Sequence, residues 1–324
     1  IDCLYILLCT HPHSVTPMFA KYQGLGNDFV LVDQRFNSAH ASTIDLSRAA
    51  EVCDRRRGIG GDGLIVLLDG SNGCDYTMRI INADGTEAEM CGNGIRCLAL
   101  FIQELEGQRK GVDTTTVAYS VSTLAGKIVA EVLPDGSVCV DMGEPEFLPW
   151  RDAGLPSYSE TRATFPLNLE RDVYEVTGVS MGNPHAVVFV NDLEVLLRDG
   201  LFQVEGPKLS TYLDAFPEGA NAEFAQVLSP SHLRLEVWER GSGHTEACGT
   251  GACATVVAGV LRGHVSRNEW CRVTLPGGDL DIKWGTDAIS GTGTGTGTAG
   301  HVLMKGPAVK AFTGVSHVIE DIFT

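Results

Sequence analysis

The sequence predicts an α+β protein made of two pseudo-symmetric halves, each a curved, mainly antiparallel sheet wrapped around one central helix. Three observations lead there. First, Cys-Gly-x-Gly is written twice, in TEAEMCGNGIRC (86–97) and TEACGTGACATV (245–256). Second, the landmarks around the two copies stay in register. Asn27 stands 64 residues before Cys91 and Asn183 stands 65 before Cys248; Asn82 and Glu239 each stand nine residues before their cysteine. Third, the segments 95–102 and 252–261 are small or apolar nearly all round, the pattern of a helix buried on every side. A repeat of this kind marks a duplicated supersecondary unit.

Taken along the chain, IDCLYILLCT (1–10) carries an apolar run without a basic n-region or a small-x-small cleavage site. Residues 1–17 read as an extension or the remnant of a targeting segment, with Met18 a candidate start. FAKYQGLGNDFVLVD follows as the first strand-like stretch, and IDLSRAAEVCDRR as an amphipathic helix capped by Ser42 or Thr43. GLIVLL, DYTMRII, KIVAEVL and SVCVDM read as short strands, as do HAVVFV, AEFAQVL, LRLEVWE, CRVTLP and LDIKW. The N-terminal half is assigned to 18–134, completed by about 303–324, and the C-terminal half to 135–302. SGTGTGTGTAG (290–300) has no side chains with which to build a core and reads as a flexible hairpin insertion.

At 324 residues the chain can bury a substantial core, and its 44% hydrophobic and 20% charged residues suit a globular protein. The formal charge of −17 opposes phosphate tracking, so nucleic acid is excluded as a partner. No apolar run reaches the length of a membrane-spanning helix. Ten cysteines without a C-x-x-C pair fit a reducing compartment better than a disulfide scaffold or a zinc ribbon. His185 and His244 lack metal-ligand spacing, so no metal is expected. GIGGDG (58–63) follows a helical pattern and precedes a strand, the reverse of a dinucleotide site, and reads as a tight turn after a solvated DRRR helix end.

A cysteine at a helix start meets unpaired N–H groups and the positive end of the dipole, which favour thiolate and poise the thiol near neutrality. Glycines beside it let backbone N–H groups close on a carboxylate. Two such ends, face to face, would set Cys91 and Cys248 on opposite sides of one substrate carbon. One thiolate would remove a proton while the other thiol delivers one, which is racemisation without a cofactor.

The residues resemble diaminopimelate epimerase. The resemblance runs from GLGNDF through DRRRGIGGDG, NADGTEAEMCGNGIRC, MGNPH, EGANAEF and WERGSGHTEACGTGACA to the closing GPA, over residues 18 to 312. It implies that family's fold and the cofactor-free interconversion of LL- and meso-diaminopimelate, a small-molecule substrate, in lysine biosynthesis. It makes Cys91 and Cys248 the acid/base pair and gives Gly92, Asn93, Gly249 and Thr250 the reacting carboxylate. Asn27 falls near the reacting centre; Asn82, Asn183, Asn221 and Arg240 fall on residues that grip the substrate, largely at its distal end. Glu239 and, in support, His185 match polar residues lining the reacting centre. The resemblance also implies cytoplasm or plastid, and a homodimer, which is common in the family. Two positions depart from the pattern: Gly63 stands where many bacterial members carry a substrate-contacting Gln, and Glu246 where the family often has an apolar residue. Two rivals share the scaffold: a proline or hydroxyproline racemase, which has no need of Arg240 and three further Asn groups, and a non-catalytic amino-acid-binding protein, which has no need of both cysteines.

If the Gly-Thr run carries no chemistry, deleting residues 291–298 leaves kcat largely unchanged; a large loss of kcat in a steady-state epimerisation assay would overturn that reading.

Overall fold

The structure is a computed structural model that describes residues 18–35, 45–110, 116–147, 163–169, 173–285, 289 and 300–320. The N-terminal extension, the caps read at Ser42 and Thr43, and the Gly-Thr run up to residue 299 lie outside the described residues.

Each half repeats one strand plan. In the first, hairpin Met18–Gly24/Asn27–Asp33 leads through helix Leu46–Cys53 into Gly63–Asp69, which pairs parallel with Asn27–Asp33. Strand Tyr76–Asn82 returns antiparallel, and the central helix Gly92–Lys110 then crosses to Val117–Thr123, parallel to Tyr76–Asn82. In the second, Val173–Ser180 and Pro184–Phe189 form the hairpin. Asn221–Ser229 pairs parallel with Pro184–Phe189, and His232–Glu239 returns antiparallel. Helix Gly249–Leu261 crosses to Cys271–Leu275, parallel to His232–Glu239. The register repeats too: Phe29 opposes Gly63 as His185 opposes Asn221. The remaining pairings among the described residues are antiparallel, so the sheet is mainly antiparallel, as the sequence predicts.

The halves share one continuous sheet. Strand Val138–Asp141 pairs with Gly126–Val132 on one side and with His301–Gly306 on the other. Strand Val309–Val315 returns to pair with Met18–Gly24 of the first half. Strand pairing therefore runs across both boundary positions read from the sequence, 134/135 and 302/303. The short helices Leu193–Arg198 and Phe202–Ser210, which make the second parallel crossover, are absent from the sequence reading. The first is six residues long, capped by the Asp192 side chain accepting from the Val195 N–H, and the second contains Pro207, so neither shows a sustained helical period.

The two central helices form the axis of the core. Ile95, Leu98 and Ile102 on one, and Ala252, Val256 and Val257 on the other, are fully buried against strand residues such as Ile65, Val121, Leu235 and Ile282. Burying an aliphatic side chain of this size contributes about 1.5–3 kcal/mol. The repeated Gly-Asn has a local cause: Gly26 and Gly182 have φ of 85° and 91°, turning the hairpins so that Asn27 and Asn183 begin the outgoing strand or stand just before it.

The helices meet at their N-termini. A Cβ on Gly92 would lie 3.7 Å from the Gly249 Cα, one on Gly249 would lie 3.6 Å from the Gly92 Cα, and Met304 packs on both. Side chains here would push the halves apart. Gly249→Ala is expected to lower stability by about 1–3 kcal/mol, because its Cβ falls 3.1 Å from the buried Met304 Sδ. Gly107→Ala, in the same kind of helix but with nothing within 4 Å, is expected to raise stability by about 0.5–1 kcal/mol. Urea-denaturation midpoints check both, and equal effects would refute the packing argument.

Candidate active site

Cys91 ends the loop before Gly92–Lys110, and Cys248 is the N-cap of Gly249–Leu261, with extended φ −122° and ψ 110°. Each sulfur accepts a backbone N–H from three residues ahead, Gly94 to Cys91 and Gly251 to Cys248, both at 3.4 Å. The first-turn N–H groups of Gly92, Asn93, Gly249 and Thr250 have no carbonyl four residues back within their helices; that of Asn93 turns to the Cys91 sulfur, and the other three are open to an anion. Cys91, Gly92, Asn93, Cys248, Gly249 and Thr250 line one cavity of about 590 Å³.

The same cavity is lined by Asn27, Asn82, Asn183, Asn221, Glu239 and Arg240. Strand ends deliver most of them. Asn82 and Glu239 close the equivalent strands Tyr76–Asn82 and His232–Glu239, and Asn221 opens Asn221–Ser229. Their amides and carboxylate are held. Asn82 Nδ2 donates to Thr86 Oγ1 at 3.0 Å, Asn221 Oδ1 accepts the Arg240 N–H at 2.9 Å, and Glu239 Oε1 accepts from Thr245 Oγ1 at 2.6 Å. The exposed Arg240 guanidinium is steadied by the Glu218 carbonyl at 2.8 Å and forms no ion pair among the described residues, which leaves its fork available to a carboxylate.

His185 departs from the expected position. It is fully buried and does not line the cavity; it stands one layer behind, with Nδ1 2.6 Å from Glu223 Oε1 and Nε2 2.9 Å from Asn183 Oδ1. It reaches the cavity only through Asn183. Glu246 is exposed, with its carboxylate against Gly26 in the wall of an adjoining space rather than of this cavity. The carboxylates that bear on Cys248 are Glu239 and Glu223. At Gly63 a side chain has little room, since a Cβ would lie 2.9 Å from the Ile81 carbonyl oxygen.

The thiols also differ from expectation. Burial pushes Cys91 up from its ordinary value, and the Gly94 and Asn93 N–H groups only partly offset it; Glu239 adds to the rise and Arg96 opposes it. Burial pushes Cys248 well above, with Glu239 and Glu223 adding to the rise against Thr250 and the Gly251 N–H. Desolvation penalises the thiolate more than one helix terminus stabilises it.

Four residues beside or behind the cavity escape the sequence reading. Asp62, in the GIGGDG turn, accepts from Asn27 Nδ2 at 2.7 Å and from the Asp28 N–H at 2.9 Å. Arg55, read as part of a solvated helix end, bonds Asp28 at 2.6 Å and Asp62 at 2.8 Å and lines an adjoining space of about 740 Å³. Burial would raise the Asp28 carboxyl, but Arg55 and Lys21 outweigh it and hold the group near 2. Arg96 and Glu223 are fully buried. The available signal was a charged residue on a face otherwise reserved for apolar ones: Arg96 inside 95–102, and Glu223 alternating in phase with Ala225.

The family profile described as diaminopimelate epimerase matches residues 19–148 and 177–302. "Diaminopimelate epimerase" of Synechococcus sp. (strain JA-3-3Ab) is 48% identical over 299 residues, covering 92% of this chain and 97% of that protein. "Diaminopimelate epimerase, chloroplastic" of Oryza sativa subsp. japonica is 47% identical over 300 residues, covering 91% of this chain and 79% of that protein. Among solved structures, a probable proline racemase from Agrobacterium radiobacter K84 superposes with a TM-score of 0.65 at 14% identity, over 93% of each chain. That last likeness is one of fold.

Asp62 holds Asn27 through a charge-assisted bond of the kind that contributes about 1.5–3 kcal/mol. Asp62→Ala is expected to lower kcat/KM by about 10–100-fold with the far-ultraviolet circular dichroism unchanged; unaltered kcat/KM would show that Asn27 needs no anchor.

Proposed function

The chain belongs to the diaminopimelate epimerase family and interconverts LL- and meso-diaminopimelate, and on that premise we propose that Cys91 and Cys248 are its two proton-transfer groups. The observation that carries the proposal is the apposition of two helix N-termini, Gly92 against Gly249, with both thiols in the wall of one cavity.

The reaction balances without a further reactant. One sulfur, as thiolate, takes the α-proton of the bound amino acid from one face and becomes a thiol. The opposing thiol gives its proton to the other face and becomes a thiolate, and the configuration is inverted. The α-carbon is a very weak acid, so the charge that spreads onto its carboxylate must be met as it develops. The N–H groups of Gly92, Asn93, Gly249 and Thr250 line the cavity where that charge develops. Asn27 borders the reacting centre, with its Oδ1 3.7 Å from Cys91 Sγ. Glu239 faces it from the second half, and His185 supports Asn183 from behind. At the far end of the cavity Arg240 takes the distal carboxylate by its fork, and Asn82, Asn183 and Asn221 satisfy distal ammonium and carboxylate together. A substrate with one charged end leaves these groups unpaired, which favours diaminopimelate over proline or hydroxyproline. No step calls for a metal or cofactor. The reading extends to a cytoplasmic enzyme, or a plastid one if residues 1–17 are the remnant of a targeting segment, and to a homodimer, which sedimentation of the reduced protein tests.

Proton NMR of LL-diaminopimelate with the reduced protein in D2O is expected to show loss of the α-proton signal together with appearance of the meso isomer. Exchange of proline with diaminopimelate untouched would overturn the substrate, and no exchange of either would favour a binding protein. General acid–base catalysis contributes about 10²–10⁴-fold, so Cys91→Ser or Cys248→Ser is expected to lose at least that in kcat while keeping the wild-type melting profile. Wild-type turnover in either variant sinks the two-thiol mechanism.

A further inference from the structure

We infer that Arg96 is a positioning residue that biases the pair toward one proton arrangement, in which Cys91 gives up its proton more readily than Cys248. The inference rests on the proposal that these two thiols transfer the proton.

Arg96 is fully buried, and all its partners are neutral. Its guanidinium folds back to donate to the Gly92 carbonyl at 3.1 Å, to Asn93 Oδ1 at 2.9 Å, to the Pro307 carbonyl at 3.2 Å and to Met304 Sδ at 3.6 Å. Gly24 and Gly306 leave it room: a Cβ on either would lie 3.2 or 3.3 Å from its nitrogens. Among the described residues no carboxylate pairs with it. A guanidinium stays charged, and an uncompensated buried charge is strongly unfavourable. Such a cost is offset where the function itself supplies the negative charge, and here a thiolate and a substrate carboxylate are that charge.

The duplication isolates the effect. Five residues after Cys91 stands Arg96; five after Cys248 stands Cys253, also fully buried. At the matching register positions the first half has Phe29 and Ile65, and the second has His185 and Glu223. Gly94 packs on Ile65, whereas Gly251 packs on Glu223, whose Oε1 would lie 2.9 Å from a Cβ there. Cys91 is thus faced by Arg96 and Cys97 from its own helix and by Glu239, and its S–H donates to Asn27 Oδ1 at 3.7 Å, with Asp62 behind Asn27. Cys248 is faced by Glu239 and Glu223, with His185 beyond, and by no cation of its own helix. Arg96 also sets geometry. By taking Asn93 Oδ1 it turns Asn93 Nδ2 toward Asn27 Oδ1 at 3.3 Å and the Ala247 carbonyl at 3.4 Å, so one amide ties the Cys91 side to the Cys248 side.

The test is iodoacetamide alkylation of the reduced, intact protein between pH 6 and 11, with initial rates at low conversion assigned to each cysteine by mass spectrometry. Midpoints in pH, rather than rates, remove the difference in access between the two sulfurs. In the wild type, Cys91 is expected to reach its midpoint at least about one pH unit below Cys248. Arg96→Met should raise the Cys91 midpoint by about one unit or more and leave Cys248 little changed, whereas Arg96→Lys should preserve the order. A role confined to packing would leave the Cys91 midpoint where it is. Equal or inverted midpoints in the wild type, or an unmoved Cys91 midpoint in folded Arg96→Met, overturn the inference; if that variant does not fold, the wild-type order and Arg96→Lys decide it. Turnover in the cysteine-to-serine variants, measured separately, shows whether the proton-transfer reading itself has failed.

Discussion

The backbone contact between Gly92 and Gly249 is the constraint on which the remaining geometry depends. Two helices, each sheathed by half of a continuous sheet, can present their N-termini to one substrate only if those termini nearly touch. Glycine at both positions permits an approach at which a single methyl on either side would strike Met304. From that contact follow the convergence of two sets of unpaired N–H groups and the placement of one thiol on each side. The sheet serves the same end, because the strand pairs that pass through Val138–Asp141 and His301–Gly306 lock the halves to each other beside the contact.

Enclosure has an electrostatic consequence. Burial that brings each thiol against the helix N–H groups also disfavours thiolate, and it dominates at both cysteines. Helix N-termini alone do not leave the thiols ready to act; charge from elsewhere must divide the proton between them. The molecule supplies it unequally: Arg96 bears on Cys91, Glu223 on Cys248, and Glu239 on both. The unequal backing of two equivalent positions is what a duplicated scaffold gains by divergence: common geometry with separate chemistry.

Beyond the cavity wall, support is layered. Asp62 holds Asn27, Arg55 holds Asp62 and Asp28, Glu223 holds His185, and His185 holds Asn183. Asn27 and Asn183 in the cavity wall therefore have anchored amides rather than free rotors, so less conformational entropy is lost on binding. The exposed Arg240 is the exception. Its guanidinium is steadied only by a backbone carbonyl, which suits the proposed grip on a carboxylate.

The sequence by itself determined the features that local pattern encodes. The two Cys-Gly-x-Gly helix starts, their register with Asn27 and Asn183, the buried character of both central helices and the membership in a known family all follow from residue types at fixed spacings. Only the tertiary structure decided which groups stand behind the cavity and what burial does to it. Arg96 could be seen as a charge in an apolar segment, yet nothing local says that it lacks a carboxylate or that it folds back on Gly92. His185 matched a position at the reacting centre and lies a layer deeper, because strand register and the Glu223 side chain, 38 residues away, set its depth. Arg55 and Asp62 read as a solvated end and a turn until the fold brings Asn27 and Asp28 against them. Spacing along a chain specifies helices, strands and repeats; burial and charge pairing are sums over residues distant in sequence, and they exist only once the chain has closed.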